Sequence, residues 1–360
     1  MWRNNEVSRR LDLKAPIVQG PFGGGLSSVD LAATVSQAGG LGSFGVHHLS
    51  GTQLREVAQA IRKKTSRPFA LNLWIPYQES DDPPISNDKF QDAVSMLAPY
   101  FKELNIAPPS RPARFSPHYD EQIEALLEAR PAVFSFVFGI PSREVLTRCR
   151  ELNIVTLGAA TTPDEAIALE QAGVDMIVAT GFEAGGHRVS FLRSAEDSLT
   201  GTFALIPQVV DAVKVPVIAA GGIADGRGIA AALALGADGV QIGTAFLACQ
   251  ESAASNVHRE QLFSANAKFT ALTRTFSGRL ARGIRNRFMD EMQQHTDRLP
   301  IYPIQNWLTA QVKTAAIAQN RFDLMSLWSG QAAPLLRHKN AAALFESLIE
   351  ETSQALAKNG

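Results

Sequence analysis

The 360-residue sequence predicts a (β/α)8 barrel with an elaborated loop after its third strand and a C-terminal helical appendage. Two observations predict it. Short apolar runs rich in Val, Ile, Phe and Ala alternate with longer amphipathic stretches, as in β/α units built around a buried parallel sheet. Eight such runs precede residue 243, the number that closes a barrel rather than an open doubly wound sheet.

In chain order the strand candidates are 17–19, 41–44, 69–73, 133–136, 154–157, 176–179, 217–219 and 239–242. Helical patterns fall between them at 29–37, 53–62, 143–150, 163–171, 203–213 and 227–235. Ser27 or Ser28, Thr162 and Asp225 stand where a side-chain oxygen caps the first helical turn, and Pro163 suits the position after such a cap. Residues 76–119 break the rhythm. They are rich in Pro, Asp and Ser around one amphipathic helix at about 88–104, which reads as an elaborated loop. From 251 onward the pattern is helical without further strands, interrupted at 276–283 and by Pro300 and Pro303. The expected division is therefore a barrel over 1–250, a helical appendage over the active-site face at 251–305, and final helices packing back on the barrel at 306–360.

Composition narrows the function. Apolar residues make up 45% of the chain and charged residues 19%, enough for a sizeable core and too hydrophobic for disorder. Lys and Arg total 34 against 35 Asp and Glu, without a single-sign run to follow a phosphate backbone, so nucleic acid is not an expected partner. Cys149 and Cys249 form no Cys-x-x-Cys pair, which fits a reducing, cytoplasmic setting. No apolar run approaches the roughly 20 residues that span a bilayer, so no membrane association is expected.

Three stretches carry chemistry. In VPVIAAGGIADGRGIAAALALGADGVQIGTAFL (215–247) the seventh strand ends at Gly221-Gly222 and the eighth at Gly243-Thr244. In a barrel these adjacent loops present backbone amides to a phosphate, and their agreement favours that reading over ordinary tight turns. In VDMIVATGFEAGGHRVSFL (174–192) the sixth strand leads through Gly185-Gly186, which leave room for a flat ligand, to His187. An imidazole with an ordinary pKa near 6.5 suits proton removal at neutral pH. In APIVQGPFGGGLSS (15–28) the first strand runs into three glycines, equally an edge for a ring and an ordinary α/β turn. Asn72, at the end of the third strand, is a lone amide on the same face.

Other patterns are set aside. Gly40, Gly42 and Gly45 spell G-x-G-x-x-G but follow a helix and run into a strand, the reverse of a dinucleotide fingerprint. His47 and His48 are adjacent, poorly placed to share a metal, and read as a solvent-side turn; no metal site is expected. Neither cysteine is placed as a nucleophile.

These residues resemble the flavin-dependent nitronate monooxygenases, also called 2-nitropropane dioxygenases. The resemblance rests on PIVQGPFGGG (16–25), EAGGHR (183–188), PVIAAGGIADGRG (216–228), QIGT (241–244), SGRLARGIRN (277–286), YPIQ (302–305) and LWSGQ (327–331), and spans nearly the whole chain. It implies a TIM barrel holding FMN noncovalently. Carried over position by position, it implies cofactor contacts at Gln19, Gly20, Pro21, Asn72, Thr180, Gly185, Gly186, Gly221, Gly222, Gln241, Ile242, Gly243 and Thr244. His187 becomes the base, with Phe22 and Tyr302 on the substrate side, although a tyrosine beside a proline serves equally as a packing anchor. Arg188 reads as a surface residue or as an attractor of anionic substrate. Two positions depart from the family's common pattern: Gly20-Pro21-Phe22 stands in place of Ala-Pro-Met, and Thr180 in place of Gln.

The implied reaction is oxidation of an alkyl nitronate, or of a nitroalkane after proton removal, by FMN and molecular oxygen to a carbonyl compound and nitrite. A homodimer is one option for assembly. The rival expectations are an NADH-dependent FMN reductase of the enoyl-ACP reductase or quinone reductase type, a flavin-free barrel acting on a sugar phosphate, and a catalytically silent FMN-binding protein.

Overall fold

The computed structural model describes residues 2–76 and 82–358. Its strands run in chain order as β1 (Ile17–Gln19), β2 (Gly42–Gly45), β3 (Phe69–Trp74), β4 (Val133–Val137), β5 (Val155–Ala160), β6 (Met176–Thr180), β7 (Gly186–His187), β8 (Val217–Ala220) and β9 (Gly239–Ile242), followed by β10 (Thr270–Thr273) and β11 (Ala281–Ile284). Eight of them pair in parallel in the order β1-β9-β8-β6-β5-β4-β3-β2. A parallel bridge between Val18 and Leu41, with the Gln19 N–H donating to the Leu41 carbonyl at 2.9 Å, joins the two ends. The sheet is therefore the expected (β/α)8 barrel, closed without a free edge.

Strand pleat sorts the core into two layers. Val18, Ala70, Val133 and Ile218 pack in one buried cluster with Leu11 and Leu13 from the segment before β1. Their neighbours Ile17, Leu71, Phe134 and Val217 belong to a second cluster with Leu54, Leu126, Leu205 and Ile229 of the surrounding helices. The caps form at Ser28, Thr162 and Asp225, whose side chains accept from Leu31, from Glu165 and from both Arg227 and Gly228.

Two segments differ from the expectation. The stretch after β3 holds a second helix, Tyr119–Ala129, beyond the expected one at Asn87–Glu103. It is the helix that leads into β4, and the prolines before it hide its start. Residues 77–81 of this stretch, and the last two residues of the chain, lie outside the described residues. The region after 250 is also not strand-free: β10, β11 and β7 form an antiparallel sheet in the order β10-β11-β7. The sequences TALT and ARGI lack a sustained apolar alternation, and β11 gains strand form by pairing with β7 from far earlier in the chain. Farther on, the helix Ala341–Lys358 lies against Gly226–Ala234, where the Gly226 N–H donates to Glu351 Oε2 at 3.1 Å. Among the described residues no helix is long and apolar enough to cross a membrane.

Candidate active site

The carboxyl ends of the barrel strands open into a cavity of about 460 Å³, lined from β1 by Gly20 to Phe22, from β3 by Asn72 and Trp74, from β6 by Thr180, and from β8 and β9 by Gly221, Gly222, Gln241, Gly243 and Thr244. Its volume falls in the usual range of pockets that bury a small ligand. Gly185, Gly186 and His187 complete one wall. Three expected site residues are not brought to the wall. Gln19 is fully buried, its amide oxygen accepting from the Ser43 N–H at 2.8 Å. Ile242 is fully buried among the residues facing the helices, because strand alternation turns Gln241 to the cavity and its neighbour away. Tyr302 stands behind the wall, its ring 5.2 Å from Trp74 and covered by the Arg279 guanidinium at 4.2 Å.

The loop after β6 is braced from several sides. Glu183 accepts from the Thr202 N–H at 2.8 Å and the Thr202 hydroxyl at 2.7 Å, which ties this loop to the helix before β8. Gly185 must be glycine because a Cβ there would lie 2.5 Å from the Gly330 nitrogen. Gly330 in turn donates to Thr244 Oγ1 at 2.9 Å, linking the loops after β6 and β9. Arg188 was expected at the surface or facing an anion. It is instead 2% exposed and donates to the carbonyls of Gly181, Thr180 and Ser198 at 2.6, 3.0 and 3.2 Å. A guanidinium fits there because its several N–H donors reach three backbone carbonyls at once.

His187 pairs with Ala281 of β11, which fixes its backbone as a rung of the small sheet. Its Nε2 lies 2.8 Å from Ser277 Oγ. Burial, then the positive charges of Arg279 and Lys313, push its pKa down to about 3, so the assumption of an ordinary imidazole does not hold. The ring is neutral at physiological pH and a weak base until a negative charge forms beside it. His258, also on the cavity wall, donates from Nε2 to the Trp328 carbonyl at 3.0 Å, since a carbonyl only accepts. Burial pushes its pKa to about 4.

These depressed values have a consequence for stability. The unfolded chain takes up protons on these histidines near pH 6.5, whereas the folded chain resists until about pH 4 for His258 and about pH 3 for His187. Their contribution to stability is present above pH 6.5 and is lost as the pH falls toward those values. The urea midpoint should therefore decline from pH 6.5 to 4, and replacing His258 by glutamine should flatten that decline; a midpoint independent of pH in this window would contradict neutral burial.

Sequence reading missed other wall residues. Trp74 lies two positions beyond Asn72 on β3, so strand alternation places both on one face. Lys313, on the helix Ile304–Ala318, donates to Asn306 Oδ1 at 3.0 Å, and burial lowers its pKa to about 8. His47, expected in a solvent-side turn, is 9% exposed and part of the cavity wall. The local sequence gives no signal for it, since the fold alone brings the loop after β2 beside β3. Burial pushes the thiols of Cys149 and Cys249 up to about 11 and about 12, so neither is an activated nucleophile.

A closed barrel with a glycine-walled cavity and a neutral histidine at the carboxyl ends of its strands defines a (β/α)8-barrel enzyme. Comparison with known proteins gives its family. A family model described as nitronate monooxygenase matches residues 5–351, and the chain belongs to the nitronate monooxygenase family of oxidoreductases. A probable nitronate monooxygenase of Staphylococcus aureus (strain Newman) is 39% identical over 357 residues, 99% of each chain. Among solved structures, nitroalkane oxidase from Streptomyces ansochromogenes superposes with a TM-score of 0.87 at 36% identity, covering 99% of this chain and 100% of that one. FabK from Thermotoga maritima gives 0.77 at 28% identity, covering 99% and 98%.

Proposed function

We propose that the protein holds FMN in this cavity and oxidises alkyl nitronates, and nitroalkanes that it first deprotonates, with molecular oxygen to a carbonyl compound and nitrite. The carrying observation is that His187 and the glycine loops after β8 and β9 line one cavity. The residues present fit the cofactor. A Cβ at Gly243 would meet only Phe22 Cε1, at 3.9 Å, so this loop leaves space for a phosphate to approach the backbone. Asn72 donates to Ser135 Oγ at 3.0 Å, and its carbonyl oxygen, without a partner among the described residues, can accept from a heteroaromatic N–H. When bound, FMN would supply the electron acceptance and the reaction with oxygen.

The chain's own residues supply the proton step. Ser277 has one hydroxyl proton, and its oxygen lies 3.1 Å from the Arg279 carbonyl. With that proton given to the carbonyl, His187 donates from Nε2 to Ser277 and holds its Nδ1 lone pair free for the α-proton. An imidazole this weak accepts a proton from carbon only because the nitronate formed beside it is an anion, and the two charges attract strongly in a dry site. Lys313, a cation on the same wall, favours the same anion.

The test is anaerobic mixing of FMN-loaded protein with propane-2-nitronate while the flavin spectrum is recorded. Rapid loss of the oxidised spectrum, reversed by oxygen, is expected; an unchanged spectrum would overturn the proposal. The likeness to FabK gives a second reading, a reductase that accepts hydride from NADH. Bleaching by NADH with no response to the nitronate would establish that reading instead.

A further inference from the structure

We infer that His47 is a further substrate-contacting residue, which donates a hydrogen bond from Nε2 into the cavity to a nitro or nitronate oxygen. The inference rests on the nitronate reading above for the identity of that oxygen, and on the fold for the rest.

The residue is held rigidly. From the helix Tyr119–Ala129, the buried Gln122 amide donates to the His47 carbonyl at 2.9 Å and the Leu49 carbonyl at 2.7 Å, which pins the turn after β2. The imidazole lies flat on Trp74, with ring centroids 3.8 Å apart and planes within 5°. The same indole meets His187 edge-on at 5.0 Å, so one ring supports both of these imidazoles. Gly23 closes the stack: a Cβ there would lie 2.8 Å from His47 Cε1 and 3.0 Å from Trp74 Cζ2. The cavity-lining loop after β1 thus gives up a side chain where this histidine reaches it.

The ring's hydrogen-bonding state follows from its surroundings. Burial first, then the charges available to His48, His187 and Arg279, hold its pKa well below the ordinary value, so the ring is neutral and carries one N–H. Nδ1 is buried and has no hydrogen-bond partner among the described residues. A buried N–H left unpaired is rarer and more costly than an unpaired acceptor, which places the hydrogen on Nε2. That nitrogen lies 3.6 Å from where the Gly23 Cβ would be, on the side of the ring facing the glycine-walled space. A fixed, neutral donor held against an indole suits an oxygen that gains negative charge, and it orients a nitro group without competing for the proton that His187 takes.

The test compares FMN-loaded wild type, His47→Phe, which keeps a ring on Trp74 but has no donor, and His47→Gln, which restores an N–H. His47→Phe should raise KM for propane-2-nitronate by about 10- to 100-fold, the worth of a hydrogen bond to a charged group, at wild-type flavin content and melting temperature. His47→Gln should recover most of that loss. An unchanged KM in His47→Phe would overturn the assignment, as would equal losses in both variants. Nitrogen-15 chemical shifts of histidine-labelled wild type, recorded without substrate, decide independently of turnover and of the variants' folding. A hydrogen on Nε2 of His47 supports the inference, and one on Nδ1 overturns it. Wild-type protein that oxidises no nitronate would remove the proposed reaction while leaving this tautomer result to be judged separately.

Discussion

Replacing His187 with alanine is expected to lower kcat/KM for neutral nitroethane by about 10²- to 10⁴-fold, the usual worth of a positioned general base, while activity on preformed ethyl nitronate falls far less. The two substrate forms differ by one proton on carbon, and only the neutral form needs it removed. The variant is a clean one because the residue's backbone remains paired with Ala281 in the small sheet, and the loops after β8 and β9 are untouched. Flavin content should therefore stay near wild type. The check is kcat/KM for both forms at one pH, with flavin occupancy measured in parallel. Equal losses on both forms would assign His187 to substrate placement instead, and unchanged activity would move the base elsewhere.

The second large effect is expected at Gly222. Its backbone has φ +70°, a region that β-branched residues avoid, and a Cβ there would lie 3.3 Å from the Glu183 Cβ. Gly222→Val would strain the turn by about 1–2 kcal/mol or more and put methyl groups into the loop that, in the proposed reading, approaches a phosphate closely. The purified variant should retain about a tenth or less of the wild-type flavin, read from the visible spectrum and from flavin released on denaturation. Far-UV circular dichroism should be unchanged, since the barrel strands do not depend on this position. Full retention of flavin would show that the loop after β8 does not hold the cofactor.

The barrel was legible in the sequence because its signals are local. Strand β9 and the helix Pro163–Gln171 appear with the boundaries read from apolar runs and capping residues alone. That the glycine turns after β8 and β9 lie together on the catalytic face was legible for the same reason: a side-chain-free turn after a buried strand shows in a few consecutive residues. What could not be read depends on contacts between distant segments. Arg188 looks like a surface residue until the carbonyls of Thr180, Gly181 and Ser198 surround it. His47 looks like a solvent-side turn until Trp74 and Gly23 enclose it. The ordinary pKa assigned to His187 failed similarly: burial by the packed fold lowers it most, and the charges of Arg279 and Lys313, from much later in the chain, add to the effect.

The pairing of β7 with β11 also bears on how the molecule is made. During synthesis every barrel strand has emerged by residue 242, yet the rung that holds His187 waits for Ala281 and Arg282. At translation rates of roughly 5–20 residues per second, the histidine is made several seconds or more before its partner strand exists. A nascent chain can therefore possess a closed barrel while His187 is still untethered. Over evolutionary time the same separation lets substitutions around residues 270–284 adjust the pose of the imidazole while the barrel strands keep their sequence.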